Sequence, residues 1–136
     1  MLVVDASVAV QFVTEEPGSD AAYEIVIGPE PLIAPDWAIA ECGNAIGKKV
    51  LRGELDRRAA EAGFAELPRF FAKRVAAEAL LDEAFQLSLD LGHALYDCLY
   101  LALALREGCA LVTADVKFHR AVGQGGFGGH VWLLGA

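Results

Sequence analysis

Leu2-Val3-Val4-Asp5-Ala6-Ser7-Val8-Ala9-Val10 opens the chain. Three apolar residues, two of them β-branched, run straight into an acid, and Ser7 is a residue type that caps helices, here one continuing through Ala9, Val10, Phe12 and Val13. The stretch reads as a short strand that hands the chain to a helix. The same alternation recurs along the 136 residues. Pro17-Gly18-Ser19-Asp20 starts a helix through Ala21, Tyr23, Ile25 and Val26 that Gly28-Pro29 ends, and Leu32-Ile33-Ala34 is a second short strand. Pro35-Asp36 opens a long helix to about Leu51, Gly53 separates it from another over about Glu54 to Leu67, and Pro68 stops that one. Residues 70–76 are ambiguous, with a third strand around Arg74-Val75-Ala76 as one reading.

Glu78 to Leu91 reads as helix, and His93 to Glu107, apolar nearly all round, as a buried helix between Gly92 and Gly108. Leu111-Val112-Thr113 is the next strand, Asp115 to Val122 a short helix, and His130 to Leu134 a last strand after a glycine-rich connection. Strands this short and apolar, alternating with helices, indicate an α/β sandwich with a mainly parallel sheet flanked by helices. It is five-stranded, or four-stranded if residues 74–76 form no strand. The length fits one domain over residues 1–136, and the 55% hydrophobic and 22% charged fractions exclude a disordered chain. Asp5 interrupts the N-terminal apolar run too early for a signal peptide, and the run Cys98 to Leu105 is too short to span a bilayer. A cytoplasmic location, with no membrane partner, is expected.

Four acids stand where apolar runs surround them. Asp5 closes Leu2-Val3-Val4, Glu41 lies within Trp37-Ala38-Ile39-Ala40-Glu41-Cys42, Asp97 interrupts Ala94-Leu95-Tyr96-Asp97-Cys98-Leu99-Tyr100, and Asp115 follows Ala110-Leu111-Val112-Thr113-Ala114. Each has a bland explanation of its own: Asp5 and Asp115 as turn or cap residues, and Asp97 as a carboxylate favoured by the first turn of a helix. Glu41 reads as mid-helix, too far in for capping, with Asn44 on the same face. In parallel sheets ligands bind beyond the carboxyl ends of the strands, where Asp5 and Asp115 fall. Four acids at that end would repel one another unless a cation sat among them, and their oxygens suit Mg2+ or Mn2+. A metal-dependent enzyme is the leading reading.

Cys42, Cys98 and Cys109 show no metal-ligand spacing and read as core residues with inert thiols. The net charge of −8 argues against a nucleic-acid partner until its distribution is considered. From Lys48 to Arg74 eight basic residues meet four acidic ones, a local balance of +4, which leaves −12 for the rest. Lys48, Lys49, Arg52, Arg57 and Arg58 are therefore candidates to meet an RNA backbone. There is no GxxxxGK[ST] loop for a phosphate-binding NTPase, and an aspartyl phosphatase would want an acid where Ser7 stands.

Taken in order, Leu2-Val3-Val4-Asp5-Ala6-Ser7, Pro35-Asp36-Trp37-Ala38-Ile39-Ala40-Glu41-Cys42-Gly43-Asn44-Ala45-Ile46, Tyr96-Asp97-Cys98-Leu99-Tyr100-Leu101-Ala102-Leu103-Ala104 and Leu111-Val112-Thr113-Ala114-Asp115 resemble the PIN-domain nucleases, specifically the VapC toxins of toxin-antitoxin pairs. The resemblance spans essentially the whole chain and implies a PIN-like three-layer sandwich. It implies a Mg2+- or Mn2+-dependent endoribonuclease, commonly a homodimer, held inactive by a small VapB-like antitoxin. The family's acidic quartet falls on Asp5, Glu41, Asp97 and Asp115, and its supporting polar positions on Ser7, Asn44 and Thr113. Some relatives carry a further acid where this chain has Lys117 or His119. His119, four residues after Asp115, shares its helical face, although a plain surface histidine is the simpler reading; His93 and His130 carry no functional expectation. Val10, Phe12 and Val13 belong to an apolar surface expected to serve a homodimer face and a groove for a helical antitoxin segment. The alternatives are a PIN-like module that binds RNA or protein without cutting, and a housekeeping PIN nuclease with no antitoxin.

Overall fold

The computed structural model describes all residues from Met1 to Ala136. Five strands, β1 (Leu2–Val4), β2 (Leu32–Pro35), β3 (Lys73–Val75), β4 (Ala110–Thr113) and β5 (Val131–Leu133), form one sheet in the order β3-β2-β1-β4-β5, every neighbouring pair parallel. Seven helices flank it: α1 (Ala6–Ala9), α2 (Ser19–Ile27), α3 (Ala38–Leu51), α4 (Arg57–Glu66), α5 (Leu81–Leu91), α6 (Leu95–Glu107) and α7 (Val116–Gln124). The ambiguous segment is a strand, so the sheet has five members. β3 pairs Ile33 with Lys73, Ala34 with Arg74 and Pro35 with Val75. Its position at the sheet edge explains why its sequence lacks the apolar signature of the centre: Lys73 and Arg74 are exposed there and blunt the edge.

The central strands obey the opposite rule. Val3, Val4, Ile33, Ala34, Leu111 and Val112 are buried because helices cover both faces of the sheet. α6 lies against β1, β2 and β4, and α5 packs along α6 rather than on a strand. Every residue of α6 from Cys98 to Ala104 is buried, which accounts for its unbroken apolar sequence. Gly92 and Gly108, both with positive φ, close α5 and α6 in left-handed caps that other residues enter at a cost.

Three local expectations are corrected. Asp5, not Ser7, caps α1: its carboxylate accepts from the Val8 amide, and Ser7 lies inside the helix. α1 lasts only four residues before tightening into a 3-10 turn over Val10–Phe12. Val10 is a core residue, while Phe12 and Val13 are half-buried beside Tyr23, Val26 and Phe70 in a shallow groove. Glu41 is not mid-helix, because Pro35 ends β2 and the Asp36 carboxylate is taken up by the Ala77 amide, so α3 begins only at Ala38 with Glu41 in its first turn.

Leu101 is fully buried on α6, at the helix that joins three strands. Leu101→Ala is expected to lower unfolding free energy by about 2–5 kcal/mol, measured by urea denaturation; an unchanged midpoint would contradict this account of the core.

Candidate functional site: a four-carboxylate cleft

The strand order reverses between β1 and β4, whose carboxyl ends lie side by side. Each leads within one or two residues into a helix, and in both cases the residue just before the helix is one of the four acids. Asp5 caps α1, and Asp115 caps α7 by accepting from the Phe118 amide at 3.1 Å. Glu41 and Asp97 arrive in the first turns of α3 and α6. All four acids therefore stand at helix N-termini, where unpaired amides and the peptide dipoles favour negative charge. They line one open cleft of about 550 Å3, together with Ser7, Asn44, Lys48, Lys49 and Arg52.

Hydroxyls tie the two strand ends together. Ser7 Oγ donates to Asp5 Oδ1 at 2.5 Å, accepts from the Ala114 amide at 2.9 Å, and lies 3.4 Å from Thr113 Oγ1. Thr113 is fully buried beneath the cleft and accepts from the Asp115 amide at 3.1 Å. Asn44 is exposed at the rim and makes no side-chain hydrogen bond within the chain. Of the supporting residues expected from sequence, Ser7 and Thr113 thus fix carboxylates and strand ends, whereas Asn44 is free.

Each carboxylate has an oxygen held by a partner in the chain. Asp5 uses Oδ1 for both Ser7 and Val8; Asp115 uses Oδ1 for Phe118. Glu41 Oε1 accepts from the Tyr100 hydroxyl at 2.8 Å, and Asp97 Oδ2 lies 2.7 Å from His93 Nε2. Tyr100 and His93 are the supporting residues that sequence reading missed. Their spacing was the available signal, since Tyr100 lies one helical turn after Asp97 and His93 four residues before it. His93 also packs on Phe118, with ring centres 4.9 Å apart, which links Asp97 to the start of α7. His119 is half-buried and does not line the cleft, and Lys117 is exposed.

The basic residues divide. Lys48, Lys49 and Arg52 continue the face of α3 that carries Glu41, seven, eight and eleven residues further on, and reach the cleft wall. Lys49 pairs with Glu16 at 3.2 Å, another lining residue that the sequence did not flag, while Lys48 has no carboxylate partner. Arg57 and Arg58 are exposed on α4 and do not line the cleft, and Arg57 is engaged by Glu61 at 2.8 Å.

Burial pushes the Asp5 carboxyl up to about 6, against the opposing pull of Ser7, Thr113 and the Val8 amide, with the Asp97 charge adding to the rise. Glu41 is raised too, burial first and the Asp97 charge adding to it, against the hydrogen bonds from the Tyr100 hydroxyl and the Trp37 side chain. Tyr100 stays a phenol, its ionisation suppressed by burial and by Glu41. Burial also lifts the thiols, Cys42 to about 12 and Cys98 to about 11, so neither is a nucleophile or a thiolate ligand.

The donors that remain are carboxylate oxygens under mutual repulsion, the chemistry of a hard cation site. No three His, Cys, Asp or Glu side chains are gathered closely enough to form a metal-binding group by themselves. The available donors are carboxylate oxygens, the type that a hard ion such as Mg2+ takes one or two at a time with waters completing its shell, and not the sulfur and imidazole donors of a structural zinc site.

The Asp5 shift fixes a sign. Folded Asp5 keeps its proton to about pH 6, whereas the unfolded chain releases it near the ordinary aspartate value of 3.8, so its ionisation removes stability as pH rises through that window. In a chelating buffer, Asp5→Asn, which keeps the cap acceptor without the charge, is expected to be more stable than the parent at pH 7.5 by about 3 kcal/mol. The gap should close near pH 4. Thermal melts of both proteins across this range check it, and a constant gap would contradict the assignment.

The PIN domain family model matches residues 2–124. Ribonuclease VapC3 of Pyrobaculum aerophilum is 37% identical over 116 residues, covering 84% of this chain and 88% of that protein. The crystal structure of PAE2754 from Pyrobaculum aerophilum superposes with a TM-score of 0.67 at 25% identity, over 88% of this chain and 78% of that one. With its parallel sheet, the acids gathered at the switch point, and a family match over nearly its whole length, the chain belongs to the PIN-domain family.

Proposed function

We propose that this protein is a VapC-type endoribonuclease that hydrolyses RNA phosphodiesters with a bound Mg2+ or Mn2+. The observation that carries the reading is the cleft itself: four carboxylates, each with an oxygen held in place by the chain, on a wall that continues into Lys48, Lys49 and Arg52. The 37% identity to a ribonuclease supports it. When bound, the cation would polarise the phosphodiester and lower the pKa of a coordinated water. Asp5 and Asp97 would hold it directly, and Asp115 directly or through water. Glu41, fixed by Tyr100, would hold a second ion or orient the attacking water with its available oxygen. Ser7, Thr113 and His93 would keep the acids in register, Asn44 would hold a water at the rim, and Lys48 and Arg52 would take the flanking phosphates.

Asp97→Asn is the direct test. RNA cleavage in Mg2+ or Mn2+ is expected to fall at least about a hundredfold, and chelation should stop the parent altogether. Undiminished cleavage by the variant would sink the mechanism, and a parent that binds RNA without ever cutting it would favour a binding module. His93→Ala should weaken metal affinity by about 10–100-fold, read by titrating Mn2+ against the thermal midpoint, with the fold retained.

As a toxin, the protein would act in the cytoplasm, with a VapB-like antitoxin as its inhibitor. The groove beside Phe12, Val13 and Tyr23 would take a helical antitoxin segment, and a basic antitoxin side chain would be drawn to the acids. An antitoxin-like reading frame beside this one separates a toxin from a housekeeping nuclease. Leu81, Phe85 and Leu89 form an exposed stripe along one face of α5 and would supply the homodimer contact. Phe85→Glu is expected to convert a dimer into a monomer in sedimentation velocity; a dimer that survives the change would move the interface elsewhere.

A further inference from the structure

Two large aromatic rings stand in the open beside the cleft. Trp37, the residue that caps α3, is 38% exposed, and Tyr96, directly before Asp97 on α6, is 54% exposed. Their rings stack with centres 5.3 Å apart and planes 14° from parallel. Neither belongs to the buried core cluster. Stacking on each other already orders both side chains, so a third ring could add to the pile with little further loss of side-chain freedom.

Their position gives the pair a chemistry. Trp37 has helical backbone angles and lies four residues before Glu41, so it continues the stripe that runs on through Asn44, Lys48 and Arg52. The stripe therefore carries an aromatic platform at the N-terminal end of α3, acids next, and cations at the C-terminal end, with roughly 16 Å of helix between Trp37 and Lys48. Cations at one end suit phosphates, and a flat exposed π-face at the other suits a base. A single strand offers both, one after the other, whereas a duplex keeps its bases within the stack.

We propose that the Trp37–Tyr96 stack is a nucleobase subsite, on which one unpaired base of single-stranded RNA stacks while the adjoining backbone crosses the acids towards Lys48 and Arg52. This rests on the ribonuclease reading above and deepens it. The subsite reads the presence and size of a π-face, not base edges, so it favours purines over pyrimidines and sets which phosphate is presented to the acids.

The test uses binding, with Ca2+ replacing Mg2+, in a Trp132→Phe background that leaves Trp37 as the only indole. A short oligoadenylate and an abasic oligonucleotide of the same length and charge are the probes. Oligoadenylate is expected to quench Trp37 fluorescence, and the abasic strand to leave it unchanged. By polarisation of dye-labelled strands, Trp37→Ala and Tyr96→Ala should each bind oligoadenylate about tenfold more weakly and the abasic strand as the parent does; Trp37→Phe should recover most of the loss. The quench is read without either alanine substitution, so a misfolded alanine form cannot decide the matter. Equal parental affinity for the two strands, an unresponsive Trp37, or equal losses on both strands would overturn the subsite, and an unresponsive Trp37 would leave the stack to a protein partner. If the parent still cleaves RNA in Mg2+, only the subsite has failed; if it neither binds nor cleaves, the nuclease reading falls with it.

Discussion

Everything in this protein depends on the adjacency of β1 and β4 at the centre of a parallel sheet. Parallel pairing places both strand carboxyl ends on the same side, and each strand must be followed by a chain that turns back over a face. The turn at each end is an acid that caps the next helix, Asp5 for α1 and Asp115 for α7. α3 and α6 bring their own first turns to the same place, so four helix N-termini meet beside one cleft. The positive ends of peptide dipoles offset part of the charge that gathers there, and this allows four carboxylates to share a cleft before any cation enters.

The offset is partial. Asp5 is the most deeply buried of the four, and its carboxyl is pushed up to about 6 in spite of the hydroxyls and amide that favour its charge. Like-charge coupling through Asp97 reaches both Asp5 and Glu41. The acids are thus held in place by the chain while their mutual repulsion is left unrelieved. Tyr100, His93, Ser7 and Thr113 share the task of holding the fixed oxygens and the strand ends. None of them adds charge to the acids' own, except His93 when protonated.

The exterior follows the same economy. The edge strands are short, with Lys73, Arg74 and Trp132 exposed on them, whereas the central strands are sealed. Among the exposed large apolar residues, Leu81, Phe85 and Leu89 share one face of α5 and Trp37 stacks on Tyr96 beside the cleft, while others such as Leu51 and Val116 stand elsewhere on the surface. Grouping is what separates a surface that meets another molecule from the incidental apolar area of any protein.

The sequence by itself determined the fold class, the central strands β1, β2 and β4, the buried helix α6 and the four acids, because apolar periodicity and isolated carboxylates are local signals. β3 was ambiguous because an edge strand carries no such pattern, and the cap of α1 was misplaced because Asp and Ser are both good caps and only backbone geometry separates them. Glu41 looked mid-helix because Pro35-Asp36 resembles a helix start; pairing with β3 and the Ala77 amide, both distant in sequence, claimed those residues instead. Only the tertiary structure decided that Tyr100 and His93 hold the acids, that Lys48, Lys49 and Arg52 but not Arg57 and Arg58 reach the cleft, and that Trp37 stacks on Tyr96. The His93 contact with Asp97 is local, but Tyr100 on Glu41 and Trp37 on Tyr96 join separate helices, and their geometry is set by how α3 and α6 pack around the sheet, which no local stretch of chain encodes.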